Sequence, residues 1–229
     1  MKVLAIESSS ITASCAVSDN EKLLGEYTLN HKKTHSEKLM PLIESLMTDL
    51  NISIQVIDAI AVSEGPGSYT GLRIGAAIAK SIAYAVNIPI VNVPTMKSMA
   101  GNVLDFNKLI VPVMDAGAGR IYSGIYRWEN QELVTVVEQF PCNIHELTDM
   151  LNEYEEPVIF NGDGSVNYRS IIEEKFMGKM HFTPERFNYL SASTLAYIGW
   201  SMALKGELIK ASDFRPQYLR LSQAERNRK

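Results

Sequence analysis

The stretch Glu64-Gly65-Pro66-Gly67-Ser68-Tyr69-Thr70-Gly71-Leu72-Arg73-Ile74-Gly75 lies between an apolar run, Ala59-Ile60-Ala61-Val62, and a small-residue run, Ala76-Ala77-Ile78-Ala79-Lys80-Ser81-Ile82-Ala83. That order reads as strand, glycine-rich turn and helix. The turn invites an anion, because backbone N–H groups gather at a helix N-terminus. It is neither a Walker A loop nor a GxGxxG turn, since no Gly-Lys-Ser/Thr follows and the glycines at 65, 67, 71 and 75 are spaced otherwise. Ser68 or Thr70 can cap the helix with no ligand present. The helix itself invites a second reading. Gly71, Gly75, Ala79 and Ala83 recur every four residues and make a ridge almost free of side chains, against which another backbone can come close. Packing on the protein's own sheet would use such a ridge too. Leu72, Ile74, Ile78, Ile82 and Val86 already supply a large apolar face, however, so the small ridge is expected to receive the helix of a second protein.

Outward from this stretch, the same order of elements occurs twice. Short strands are expected at Val3–Ile6, Ala13–Val17 and Leu23–Leu29, then an amphipathic helix from about Ser36 to Leu50 with Leu39, Leu42, Ile43, Leu46 and Met47 on one face. Pro41 marks either a first-turn position or a kink in it. Strand Ile57–Val62, helix Thr70–Val86, strand Ile90–Val93 and helix Thr95–Asp105 complete the first series. The second begins with strand Leu109–Met114 and a hairpin of Ile121–Arg127 with Glu132–Phe140. Helix Ile144–Glu153, strand Pro157–Phe160 and helices Ser165–Phe176 and Ser191–Leu204 follow. This βββαβα plan, repeated without sequence identity, resembles the actin-like ATPase, sugar-kinase and Hsp70-type superfamily, an α/β fold of two lobes, each a mixed sheet flanked by helices. The expected lobes are 1–105, carrying the docking surface, and 106–229, with the late helix near Leu195 returning to the first.

The 229 residues, 46% of them hydrophobic, are enough for a real core. A net charge of −4 and the absence of a Lys/Arg run argue against a nucleic-acid footprint; the densest basic segment is the tail, Arg220 to Lys229. Cys15 and Cys142 lack metal-type spacing and read as buried thiols. With no signal-type leader and no apolar stretch of membrane length, the protein is expected to be soluble and cytoplasmic.

Both first strands end in a carboxylate followed by small residues: Glu7-Ser8-Ser9-Ser10 and Asp115-Ala116-Gly117-Ala118-Gly119. In the superfamily those turns face nucleotide phosphates, and two acids would suit Mg2+. The opposing reading is that Glu7 and Asp115 merely end strands and cap nearby N–H groups. Glu7 is one methylene longer than the superfamily's usual Asp. Asn161-Gly162-Asp163-Gly164, the nearest match to an adenosine-binding glycine segment, reads as an ordinary turn. His31 and His35, at i and i+4, could share a metal on a helix, but no third ligand stands near them. No GxSxG, HExxH or catalytic-Cys signature occurs.

Ile6-Glu7-Ser8-Ser9, Thr34-His35-Ser36-Glu37-Lys38-Leu39-Met40-Pro41-Leu42-Ile43, Gly65 to Gly75, Asp115 to Tyr122, Arg215-Pro216-Gln217-Tyr218-Leu219-Arg220 and Gln223-Ala224-Glu225-Arg226 together resemble the TsaB family of bacterial tRNA threonylcarbamoyladenosine (t6A) proteins, over essentially the whole chain. The resemblance implies a non-catalytic, cofactor-free paralogue of TsaD, the subunit that transfers threonylcarbamoyl to adenosine 37 of tRNA. It implies a homodimer when alone and a heterodimer with TsaD through first-lobe helices, joined by the ATPase TsaE. TsaC makes the threonylcarbamoyl-adenylate, and tRNA is met only through the complex. TsaD's His-x-x-x-His metal pair falls here on Thr95 and Met99, which supply no imidazole.

The expected interface is Leu39, Leu42, Ile43, Tyr69, Thr70, Gly71, Arg73, Gly75, Ala79 and Ala83, with Glu7, Ser9 and Asp115 as vestiges of a nucleotide site. Gly75→Leu should then break docking and spare the fold. The alternative is an ATP- and Mg-dependent enzyme of the sugar-kinase/Hsp70 type using Glu7 and Asp115.

Overall fold

The computed structural model describes residues 1–30 and 35–219, His35 in its backbone only. The His31/His35 pair and the basic tail from Arg220, including Gln223 to Arg226, therefore lie outside the described residues. The chain forms two compact units, 1–98 with 190–229, and 99–189. The expected boundary at 105 is thus corrected to 99. The expected second lobe, 106–229, is likewise corrected: it ends at 189, because the chain from Leu190 returns to the first unit.

The first unit is a five-stranded sheet in the order β3-β2-β1-β4-β5. Its strands are β1 (Lys2–Glu7), β2 (Thr12–Asp19), β3 (Lys22–Asn30), β4 (Ala59–Gly65) and β5 (Ile90–Pro94). β1 pairs antiparallel with β2 and parallel with β4, with Ile6 opposite Cys15 and Val62. Helices α1 (His35–Asp49) and α2 (Tyr69–Val86) cover one face, and α3 (Thr95–Ala100) follows β5. Leu4, Ile6, Ile60 and Val62 from the sheet meet Leu39, Ile43 and Leu46 from α1 and Ala76, Ala79 and Ala83 from α2. Strands buried on both faces read as continuous apolar runs. The other face is closed by the late helix of the chain, Ala192–Leu204, capped by the Ser191 hydroxyl, which accepts from the Thr194 N–H. Gly199 of that helix packs directly over Ala61 and Val93.

The second unit repeats the plan. Its sheet order is β10-β9-β6-β7-β8, with β6 (Leu109–Gly117), β7 (Arg120–Glu129), β8 (Glu132–Cys142), β9 (Val158–Asn161) and β10 (Met180–Phe182). Read from β8, it matches the first sheet strand for strand. β6 pairs antiparallel with β7 and parallel with β9, as β1 does with β2 and β4. Its helices are α4 (Ile144–Leu151), α5 (Asp163–Asn167) and α6 (Arg169–Lys175), so the Ala192–Leu204 helix is α7. Two helices differ from expectation. The one expected over Ser165–Phe176 breaks at Tyr168 into α5 and α6, and the one expected to reach Asp105 stops at Ala100. β10 and two short 3-10 turns (Ile54–Val56, Glu185–Asn188) had no sequence signal of their own. No helix among the described residues is long and apolar enough to cross a membrane.

Candidate functional site

The glycine-rich turn closes on its own polypeptide. Ser68 caps α2, its hydroxyl accepting from the Gly71 N–H at 3.2 Å, while its own N–H donates to the Ser9 carbonyl at 2.7 Å. Two of the amides that an anion could use, those of Ser68 and Gly71, are therefore engaged within the chain. Gly71 lies directly on the turn after β1: a Cβ there would stand 2.0 Å from the Ser8 carbonyl oxygen. At Gly75 a Cβ would collide with the Ser8 hydroxyl and approach Val62.

This corrects the expected docking ridge. Gly71, Gly75, Ala79 and Ala83 are all buried, and they face the protein's own β1 turn and sheet. Small residues are needed there because the helix passes within backbone contact of Ser8, which a side chain would forbid. Leu39 and Ile43 are likewise core residues, at 0% and 2% exposure, and Leu42 is half-buried. Of the expected interface, Tyr69, Thr70 and Arg73 are exposed. Beyond them the exposed side of α2 runs through Ala77, Ser81 and Ala85, again at i+4 spacing, to Tyr84, which is 84% exposed. The half-buried Ile74, Ile78 and Ile82 flank it.

Residues 214–219 join this face. Phe214 is buried in the first core, and Lys80 donates to its carbonyl at 3.2 Å. The Gln217 N–H donates to the Glu64 carbonyl at 2.6 Å. Gly65, at φ +119°, has the Gln217 carbonyl where a side chain would be. The rings of Tyr218 and Tyr69 lie 4.8 Å apart. The Arg73 guanidinium sits 4.0 Å over Tyr69, donates from Nε to the Tyr218 hydroxyl at 3.1 Å and donates to the Tyr69 hydroxyl. Two motifs almost 150 residues apart in sequence thus make one structure.

Glu7 is fully buried. One carboxyl oxygen accepts from the Ser9 N–H and Ser9 hydroxyl, both at 2.6 Å, and the other accepts from the Ser63 hydroxyl. Desolvation pushes its pKa above the ordinary carboxylate range despite these bonds. Ser9 is therefore a partner of Glu7 within the fold. In the second unit, Asp115 accepts from the Gly117 N–H at 2.8 Å and from the Asn167 amide at 3.0 Å. Its own N–H donates to Asp163 at 3.1 Å. Desolvation, with the neighbouring Asp115 charge adding to it, raises Asp163. Ser63 and Asn167 had no sequence signal of their own, and Asp163 was legible only as part of the turn Asn161-Gly162-Asp163-Gly164. The duplicated plan holds their signal, since in each unit the strand-end acid is met by residues that end or follow its parallel neighbour, β4 or β9.

A magnesium ion does not suit Glu7: burial favours its neutral form, and three of the carboxyl group's acceptor positions are taken by Ser9 and Ser63. Thr95 and Met99 are buried at 0% and 2% exposure, and neither supplies a nitrogen ligand. Among the described residues, no group of three His, Cys, Asp or Glu stands close enough to hold a metal ion.

The model of the TsaD family, tRNA N6-adenosine threonylcarbamoyltransferase, matches residues 22–228. The Bacillus subtilis tRNA threonylcarbamoyladenosine biosynthesis protein TsaB is 34% identical over 98% of this chain and 96% of its own length. The Escherichia coli TsaB is 28% identical over 66% of this chain and 68% of its own. Among solved structures, YeaZ from Pseudomonas aeruginosa superposes with a TM-score of 0.83 over 95% of this chain and 99% of that one, at 20% identity. A Thermus thermophilus ROK hexokinase superposes at 0.53 over 90% and 100%, at 10% identity. The last two matches establish the fold: α/β, of the actin-like and sugar-kinase type. The chain belongs to the TsaB family of tRNA threonylcarbamoyladenosine biosynthesis proteins, and carries the domain that family shares with TsaD.

Proposed function

We propose that the protein is a non-catalytic subunit of the machinery that transfers threonylcarbamoyl to adenosine 37 of tRNA. It binds a TsaD-type catalytic subunit and stabilises that subunit's active arrangement, a shift of population rather than a reaction. The observation that carries the reading is the closure of Glu7, whose two oxygens are held by Ser9 and Ser63. Three donors of the same chain hold this buried carboxyl group and burial favours its neutral form, whereas a group that ligates a metal or takes a proton from water must be ionised. Family membership supports the pathway.

The docking surface is the exposed side of α2, Tyr69, Thr70, Arg73, Ala77, Ser81 and Tyr84, with Met40 and Glu44 of the exposed side of α1 as neighbouring candidates. Ala77, Ser81 and Ala85 leave the close approach that the sequence had suggested for the buried ridge. A homodimer when alone, and recruitment of the ATPase TsaE to the heterodimer, belong to the same reading. So does a cytoplasmic location beside tRNA that is met through the complex.

Reconstitution tests it. Transfer of threonylcarbamoyl to tRNA by the TsaD-type subunit, with TsaE and the TsaC product supplied, is expected to require this chain. Glu7→Gln and Asp115→Asn are expected to support it as the parent does. Full transfer without the chain, or its loss in Glu7→Gln alone, would defeat the proposal. The latter result, with calorimetric binding of magnesium ATP, would favour the ATP-using enzyme.

A further inference from the structure

We infer that residues 214–219 and the exposed side of α2 form one cationic docking element, built to meet an acidic surface on the partner subunit, and that Tyr218 is the residue that positions Arg73 on it. The inference rests on the docking face proposed above and names what that face recognises.

Three observations carry it. First, residues 214–219 are fastened to α2 and to the end of β4: the Phe214 carbonyl accepts from Lys80, the Gln217 N–H donates to the Glu64 carbonyl, and Tyr218 meets Tyr69 and Arg73. A partner that covers the exposed face of α2 near its first turns must therefore cover this segment as well. Second, α2 and residues 214–219 contain Arg73, Lys80 and Arg215 and not one Asp or Glu. The acids nearest in sequence, Glu64 and Asp213, lie just outside these two segments and are fewer than the three cations. Glu64 accepts from the Asn92 amide at 2.6 Å, and Asp213 accepts from the Ser212 hydroxyl at 2.9 Å. Third, the exposed groups at this point are two tyrosines and an arginine, the types that dominate binding energy at protein interfaces. Tyr69 and Tyr218 are 36% and 40% exposed, so each ring is half held by the protein and half offered. With both phenols and the guanidinium fixed before binding, little ordering entropy remains to be lost.

The positioning role separates ring from hydroxyl. Tyr218→Phe keeps the 4.8 Å ring contact with Tyr69 and loses only the bond to Arg73 Nε, whereas Tyr218→Ala loses both. Calorimetry of the full chain against the TsaD-type subunit, at about 50 and about 300 mM salt, reads the outcome. The parent is expected to bind about tenfold or more weakly at the higher salt. Tyr218→Ala should weaken binding about tenfold with an unchanged melting temperature, and Tyr218→Phe should recover most of it. Arg73→Gln should weaken binding at low salt and flatten the salt dependence. Parent-like affinity in Tyr218→Ala and Arg73→Gln, or parent binding indifferent to salt, would overturn this inference while leaving the proposed function standing. A parent that does not bind the TsaD-type subunit at all would overturn both.

Discussion

Gly71 and Ser8 are in backbone contact: a Cβ on Gly71 would stand 2.0 Å from the Ser8 carbonyl oxygen, and the Ser8 hydroxyl donates to the Gly71 carbonyl at 2.9 Å. Helix α2 is thereby locked onto the turn that follows β1. Gly71→Ala must push the two apart. It is expected to cost about 3 kcal/mol, at the upper end for overpacking a dense interior. Gly75→Leu should cost at least as much, because it drives into the Ser8 hydroxyl and Val62. Urea titration followed by circular dichroism measures both. A Gly75→Leu protein as stable as the parent would restore the outward-facing ridge.

On the outer side of the same helix the expectation reverses. Ala77 and Ser81 are exposed, so Ala77→Trp and Ser81→Trp should leave the melting temperature within a degree or two. Each should weaken heterodimer formation with the TsaD-type subunit at least about tenfold, roughly 1.4 kcal/mol. Co-elution of either variant with the partner at parent levels would move the interface elsewhere.

Glu7 predicts a pH dependence. Burial holds its folded pKa above the ordinary 4.5, so the folded protein binds this proton more tightly than the unfolded chain does. Its contribution to stability is therefore fully present below the ordinary value and is lost as pH rises through the raised folded one. Each pH unit between the two is worth about 1.4 kcal/mol. Glu7→Gln cannot ionise, yet offers an acceptor to Ser9 and a donor to Ser63. It should melt higher than the parent at neutral pH and show a flatter profile as pH rises from the ordinary 4.5. A variant that melts lower than the parent at every pH would mean the charge itself is wanted.

The thiols should be silent. Desolvation pushes Cys15 to about 12 and Cys142 to about 12, far from the thiolate form at physiological pH. Iodoacetamide at about pH 8 should leave both unmodified in the native protein and alkylate both in denaturant. Mass spectrometry reads the difference, and rapid labelling of either cysteine in the folded state would show that its strand opens.

Much of the architecture was legible because periodicity is a local property. The continuous apolar run Val3–Ile6, the 3.6-residue pattern of Leu39, Ile43 and Leu46 and the caps at Ser68 and Ser191 each need only a few neighbours to be read. The repeated order of elements then pointed to two matching sheets, and the strand orders agree. The ridge was harder. Gly71, Gly75, Ala79 and Ala83 announce that a backbone comes close, and one does, but a helix pattern carries no label for whose backbone it is. In most amphipathic helices the large apolar residues take the inner face. Here Ser8 lies so near α2 that the inner face had to be the small one, and Ile74, Ile78 and Ile82 were turned half outward.

The site divides in the same way. That Glu7 and Asp115 lie late in equivalent strands followed from sequence order, although β6 runs past Asp115 to Gly117, and the family resemblance pointed to Thr95 and Met99 as positions without histidine. Local spacing also determined the helices, the strands and their duplication, since each arises from residues within a turn or two of one another. What surrounds those residues was settled only by tertiary structure, because Ser63 donates to the Glu7 carboxyl group across parallel strands and the Asp163 carboxylate, at the start of α5, accepts from the Asp115 N–H. The return of the chain from Leu190 to the first unit, and the fastening of Tyr218 to Arg73, belong with them. Contacts between residues distant in the chain depend on how the sheets register and close, and no short window of sequence contains that information.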